Sequence, residues 1–216
     1  NGIMNLKEAN LRSDHFKFKR WEVNADTSNF NLKNKYQQED EEQLSFKTEN
    51  VTARVSFSER KGIFTSNKGE SKVEFPVNQY FCRMDKFTWM MDSEVINMEN
   101  SGKSNIDIDA GLDLSKPNFF SLHPKQDSLQ FKSSKATFSL KDRAIYCSSV
   151  EYIDVADARI YPDQKKLTIF KKAYMEPLAN SKIVANYITK YHTFINASTI
   201  ITARRAYTSS GDYPYY

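Results

Sequence analysis

Across residues 129–169 the chain alternates with a period of two: Ala136, Phe138 and Leu140 are interleaved with Thr137, Ser139 and Lys141. That spacing puts apolar side chains on one face of a strand and polar ones on the other, and it gives a helix no continuous apolar stripe. The stretch therefore commits its part of the fold to sheet. Lys141-Asp142-Arg143 reads as a turn, and residues 145–147 as the return strand of a hairpin. Residues 150–153 and 156–160 follow as strands. Tyr161-Pro162-Asp163-Gln164 breaks the run, because Pro presets a turn and Asp can bond the backbone two residues on. Residues 167–170 begin the next strand.

Other stretches carry the same pattern. In residues 44–57, Val51, Ala53, Val55 and Phe57 point one way and Thr52, Arg54 and Ser56 the other. Residues 106–114 alternate strictly, with Asp107, Asp109 and Asp113 opposite aliphatic side chains. In residues 181–206, Val184, Tyr187, Ile188 and Tyr191 match a helical spacing, but the wealth of Ile, Thr, Tyr and Val favours strands. Residues 1–15 are polar and read as partly ordered at most, and Phe16, Phe18, Trp21, Val23, Phe30 and Leu32 as short strands capping one end. With 6 Gly in 216 residues, the turns must rely on Asn, Asp, Ser and Lys, which favours type I turns.

The alternating stretches also resemble one another in order. Leu44-Ser45-Phe46-Lys47 lines up with Leu129-Gln130-Phe131-Lys132, and Ala53, Val55 and Phe57 with Ala136, Phe138 and Leu140. Glu59-Arg60 then matches Asp142-Arg143, Ile63-Phe64 matches Ile145-Tyr146, and Val73-Glu74-Phe75 matches Val150-Glu151-Tyr152. Phe87-Thr88-Trp89 closes the series against Leu167-Thr168-Ile169. The expected organisation is opening strands and an acidic loop (1–43), a first β unit (44–115), a connection (116–128) and a second β unit (129–216). Units that each leave an apolar face unfinished are stabilised by stacking on their neighbours.

The block ATFSL, RAIYCSSVEYI and VADARIYPD within residues 136–163 resembles the OstA-like repeat of lipopolysaccharide-transport bridge proteins. In that family an Ala-x-aromatic-x-aliphatic strand leads through a turn to a strand ending in Val. The VADARIYPD step and the SGDYPYY ending are also similar to large multi-repeat exported proteins of Bacteroidetes-type bacteria. The resemblance implies an all-β chain: short antiparallel strands stacked as a β-jellyroll or β-taco, in the periplasm or cell envelope. It implies no catalytic residues.

The chemistry-bearing residues are sparse. His15, His123 and His192 have no metal spacing, and no nucleophile elbow or phosphate-cradling Gly loop is present. The Glu39-Asp40-Glu41-Glu42 run lacks the Gly and spaced oxygens of a calcium loop. Cys82 and Cys147 form no CxxC pair, leaving either a disulfide or two buried thiols. Asn50-Val51-Thr52 and Asn196-Ala197-Ser198 fit the glycosylation sequon. The net charge of +4 comes from short basic stretches that read as solvated strand faces, so no nucleic acid is expected, and no apolar run is long enough to span a membrane. No cofactor is expected.

The expected function is a non-enzymatic scaffold whose partners are neighbouring repeats or an envelope protein. Carriage of lipid or lipopolysaccharide in an apolar groove is the alternative, with Val55, Phe57, Trp89, Met91, Phe138 and Leu140 as its candidate lining; the same inward side chains would equally fill a closed core. A carbohydrate-binding sandwich is a further alternative, and it requires an exposed Trp21 or Trp89.

Overall fold

Four strands open the chain: β1 (Gly2–Asn5), β2 (Ala9–Phe18), β3 (Glu22–Lys33) and β4 (Leu44–Ser56). They are seen in a computed structural model that describes residues 2–38, 42–100, 116–186, 188 and 192–214. The first three form an antiparallel meander that adds to β4. On β3 the buried positions run Val23, Ala25, then Ser28, Phe30 and Leu32, so the alternation slips by one residue. The slip falls at Thr27, whose φ is 49°, and β4 makes the same slip at Asn50, whose φ is 57°. A bulge of this kind bends a strand and keeps its apolar side chains facing in. Each long strand thus serves two differently oriented walls.

The walls separate at β4. Residues 51–56 of β4 pair with β5 (Lys61–Ser66), while Lys47 and Thr48 pair with β6 (Ser71–Phe75) on the same edge. One wall continues from β5 through β8 (Lys86–Met90), β9 (Val95–Glu99), β12 (Lys135–Ser139), β13 (Ala144–Ser148) and β16 (Leu167–Ile169). The other continues from β6 through β7 (Tyr80–Met84), β10 (Phe119–Ser121) and β11 (Gln130–Phe131). A second antiparallel sheet, in the order β14 (Ile153–Val155), β15 (Ala158–Tyr161), β17 (Leu178–Ala185), β18 (His192–Ala203) and β19 (Ala206–Asp212), completes the fold. The fold is all-β, and the described strands pair antiparallel throughout.

The walls face each other across one core. Phe75 of β6 meets Phe138 of β12 at 5.2 Å between ring centroids, and Phe46 of β4 touches both Phe87 and Phe138. The buried cluster runs without a break from Ala9 to Ile201. Along one rim the walls are also tied by polar groups. The buried Asn78 amide donates to the carbonyls of Arg143 (2.9 Å) and Ile169 (3.2 Å) in the opposite wall. Tyr80 donates to Gln126, and the Gln126 amide donates to the Ala173 carbonyl at 2.7 Å.

Four hairpins share one loop design. Ser56 faces Lys61, Phe75 faces Tyr80, Met90 faces Val95, and Ser139 faces Ala144, so each loop holds four residues. In each, the last loop residue is left-handed: Arg60, Gln79, Glu94 and Arg143 have φ between 52° and 54°. Scarcity of Gly therefore does not confine the chain to right-handed turns. Seventeen described residues other than Gly take positive φ, against Gly69 alone among the described glycines. Two further expectations are corrected. Residues 2–15 are ordered and carry β1 and most of β2, with Ala9 and Leu11 buried, because β2 is paired between β1 and β3 and needs apolar residues on one face only. The 116–128 connection contains the buried strand β10. Strands, not a helix, flank residues 186–191. Residues 39–41 of the acidic run and the alternating segment 106–114 lie outside the described residues.

Candidate functional site

The six inward residues singled out from the sequence occupy three matched pairs of positions. Val55, Trp89 and Phe138 are the next-to-last residues of β4, β8 and β12, and Phe57, Met91 and Leu140 are the first residues after them. The first member of each pair lies in one cross-strand row: Phe18, Val23, Val55, Gly62, Trp89, Ile96, Phe138, Ile145 and Ile169 face their neighbours in succession from β2 to β16. From Val23 to Ile169 the row is buried, and the space it borders is filled by its own side chains. Gly62 makes this packing feasible, since a Cβ there would lie 3.0 Å from the Phe64 ring and 3.5 Å from the Trp89 ring. The indole N–H of Trp89 is buried with no hydrogen-bond acceptor among the described residues.

The second members sit at the rim. Phe57, Met91 and Leu140 each open a four-residue loop, and each N–H is bonded to the layer before it. Phe57 donates to the Trp21 carbonyl (2.8 Å), Met91 to Arg60 (3.0 Å) and Leu140 to Glu94 (3.0 Å). In the last two cases the left-handed residue that ends one loop presents its carbonyl to the first residue of the next. Met91 and Leu140 are buried and Phe57 is half-buried, so this rim is lined by apolar groups that cover the row beneath.

Titratable groups give the interior no reactive centre among the described residues. Cys82 on β7 and Cys147 on β13 are buried, unbonded and in opposite walls. Burial holds both thiols above the usual thiol range, so neither is a ready nucleophile. His15 and His192 are exposed, and His123 Nδ1 accepts the Lys125 N–H at 3.1 Å to cap a short 3-10 turn at Pro124–Gln126. No described group of His, Cys, Asp and Glu is placed to hold a metal ion. Both sequon asparagines, Asn50 and Asn196, are left-handed bulge residues with φ of 57° and 50°; Asn favours that conformation, which gives them a backbone role.

Charged groups cluster on the outside. Glu22 accepts from the Asn24 amide (2.9 Å), Lys19 (3.1 Å) and Arg54 (2.8 Å), and these bonds hold its carboxyl down at about 2. Glu94 takes hydrogen bonds from Lys35 and from the Tyr36 hydroxyl, which lower its pKa. The β2–β3 hairpin tip carries exposed aromatics: Phe18 and Trp21 are 68% and 57% exposed, Phe18 stacks on Phe16, and the Arg20 guanidinium lies 5.6 Å from the Trp21 ring centroid. Trp89 is 3% exposed.

A comparison with known protein families, curated proteins and solved structures finds no match to this chain. What the chain can do must be read from its own surfaces. Two of them were not visible in the sequence. One is the end of the buried row, where Phe18 continues it into solvent. The other is a cleft of about 980 Å³ between β11 and β14, lined by Lys132, Tyr152, Asp154, Arg159, Arg204 and Arg205 among others. The cleft's basic groups come from three separated stretches, so no sequence window contains them.

Proposed function

We propose that this protein is a non-enzymatic β scaffold whose terminal edge receives another β layer. The observation that carries the reading is Phe18. It is the ninth member of a row that is otherwise buried, it is 68% exposed, and it lies on a stretch of β2 that pairs, among the described residues, only with β3. β1 covers β2 at residues 10–13 and leaves residues 14–18 as an open edge. A strand laid there would extend the ladder and bury Phe18, which is how extended segments add to a sheet. Lys17 and Lys19 flank Phe18, and charged side chains on an edge discourage indiscriminate pairing. β19 offers a second open edge in the other sheet, where among the described residues it pairs only with β18.

The repeat organisation suggested by the sequence belongs to this proposal. Gly62 opposite Trp89, Ile63 opposite Thr88 and Phe64 opposite Phe87 have counterparts in Ile145 opposite Ile169, Tyr146 opposite Thr168 and Cys147 opposite Leu167. Layers of one design can accept a further layer of that design. The filled interior favours a scaffold over a groove that carries lipid. The exported, cell-envelope setting rests on the sequence resemblance alone.

The test is sedimentation velocity over a range of protein concentrations, with a second copy serving as the available β layer. Wild-type protein should associate as concentration rises. Phe18→Lys should remain monomeric with an unchanged melting temperature, since its side chain makes little buried contact. A wild-type protein that stays monomeric at its highest soluble concentration, or a Phe18→Lys variant that associates equally, would refute the reading.

A further inference from the structure

The wall that runs β6, β7, β10, β11 is interrupted at β11. Among the described residues β11 pairs only with β10 and β14 only with β15, and the two strands lie side by side without a ladder between them. The turn between β18 and β19 closes one end of the gap. The Arg204 N–H donates to the Gln126 carbonyl (3.0 Å), and the Arg204 carbonyl accepts from the Ala156 N–H (2.9 Å). The backbone of this arginine is thereby fixed from both sides, while its side chain remains exposed beside the cleft.

The charges along the cleft do not cancel. Asp154 takes two bonds from Arg159, at 2.8 and 3.0 Å, Glu151 pairs with Lys165 at 2.7 Å, and Asp127 pairs with Arg205 at 3.2 Å. Each acid is matched by its own base. Lys132 and Arg204 have no such partner among the described residues. A surplus of positive charge therefore remains in a cleft whose walls also carry carboxylates, the Gln130 amide, and the Ser134 and Ser149 hydroxyls.

We propose that this cleft binds an acidic oligosaccharide, with Lys132 and Arg204 holding its carboxylate or sulfate groups. A volume of about 980 Å³ lies at the upper end of the range for small-ligand sites, roughly 300–1,000 Å³, so it suits an occupant larger than a lone inorganic anion. A carboxylate already bonded to arginine retains lone pairs for hydroxyl donors. Asp154 and Glu151 can therefore accept from sugar hydroxyls, while the amide and hydroxyl groups serve as donors to sugar oxygens. A nucleic acid would set its phosphates against those same carboxylates, and it would find the Tyr152 ring already engaged by the Arg159 guanidinium 3.7 Å from its centroid. An acidic peptide has few hydroxyls to offer the two acids. Mixed polarity with a cationic surplus fits a polyhydroxylated anion best.

The experiment is isothermal titration of the full chain with trigalacturonate and with a heparin-derived tetrasaccharide. Maltotriose serves as the neutral control and sodium sulfate as the simple anion. At least one acidic oligosaccharide should bind, and more tightly than either control, with affinity falling as salt is raised. Lys132→Ala and Arg204→Ala should each weaken that binding about ten-fold, the loss expected for one charge-assisted hydrogen bond. Neither substitution touches the backbone bonds of residue 204, so the melting temperature should hold. No binding of either acidic oligosaccharide overturns the proposal. Binding unchanged in both variants, or matched by maltotriose or sulfate, overturns it as well.

Discussion

Replacing Asn78 with Asp changes one atom type at the point where the two walls are tied. Asn78 is fully buried, and its amide gives both of its hydrogen bonds to carbonyls of the facing wall. Its own Oδ1 has no partner among the described residues. An ionised Asp at this position would present oxygens to the lone pairs of Arg143 and Ile169, in a site closed to water. The charged form is strongly disfavoured there, so the carboxyl takes up a proton. The protonated acid donates to one carbonyl and loses the other bond, a cost of about 1 kcal/mol. Keeping it protonated at neutral pH costs up to about 4 kcal/mol more, the product of 1.36 kcal/mol per unit and the distance from an unfolded value of about 3.9. The folded-state pKa is raised above the unfolded one, so the folded state binds more protons between those values. Stability is therefore retained below about pH 4 and lost as pH rises toward the folded-state value. Urea unfolding, read by the fluorescence of the buried Trp89, should place Asn78→Asp roughly 1 kcal/mol below wild type near pH 4 and about 4–5 kcal/mol below it near pH 7. Asn78→Ala should show a smaller deficit that does not change with pH. A deficit for Asn78→Asp that is equal at the two pH values would refute the closed, polar-tied rim.

Gln79→Gly should stabilise the fold by about 0.5–1 kcal/mol, seen as a higher melting temperature, because Gly removes the left-handed strain at φ 53° and an unpartnered buried Oε1. A lower melting temperature would mean that the Gln79 side chain has a contact worth more than both. The Glu22 carboxyl should titrate with a midpoint at about 2 by carbon-detected NMR, and Asn24→Ala should raise that midpoint, since the Asn24 hydrogen bond is the largest cause of the shift. Its folded-state pKa is depressed, so its contribution is present above the ordinary 4.5 and fades as pH falls toward 2.

The alternation of Ala136, Phe138 and Leu140 made the β12–β13 hairpin legible, because residue parity alone assigns side chains to faces once one face is buried. The same rule identified Val55 and Phe138 as inward, and the structure brings them into a single row with Trp89. Parity also shows where matching by residue type slipped. Ile63-Phe64 resembles Ile145-Tyr146, but the row contains Gly62 and Ile145, and the buried Phe64 stands in the place of Cys147. An aromatic after an isoleucine was the misleading cue. The bulges at Thr27 and Asn50 were not readable, since one extra residue in a strand leaves no compositional mark. Left-handed Arg60, Gln79, Glu94 and Arg143 were invisible for a similar reason: the loop geometry demands the conformation and the residue type does not advertise it. The cleft depends on how β11, β14 and the β18–β19 turn meet, which is decided by tertiary packing.

The ladder pattern bears on how the chain can come into being. Every strand pairs with one that lies at most three strands earlier or later, and the longest steps, β5 to β8, β7 to β10, β9 to β12 and β13 to β16, are of equal rank. Apart from β1 and β14, which open the two sheets, a strand leaving the ribosome therefore meets a partner edge already in place, with no wait for a distant segment. Sheets of mostly non-local pairing fold slowly because long loops must close first; here growth can proceed by accretion in the order of synthesis. β4 occupies a special position in that process, because both walls start from its one edge. Until residues 44–56 have emerged, neither wall has a template, and once they have, both can lengthen in parallel as translation continues.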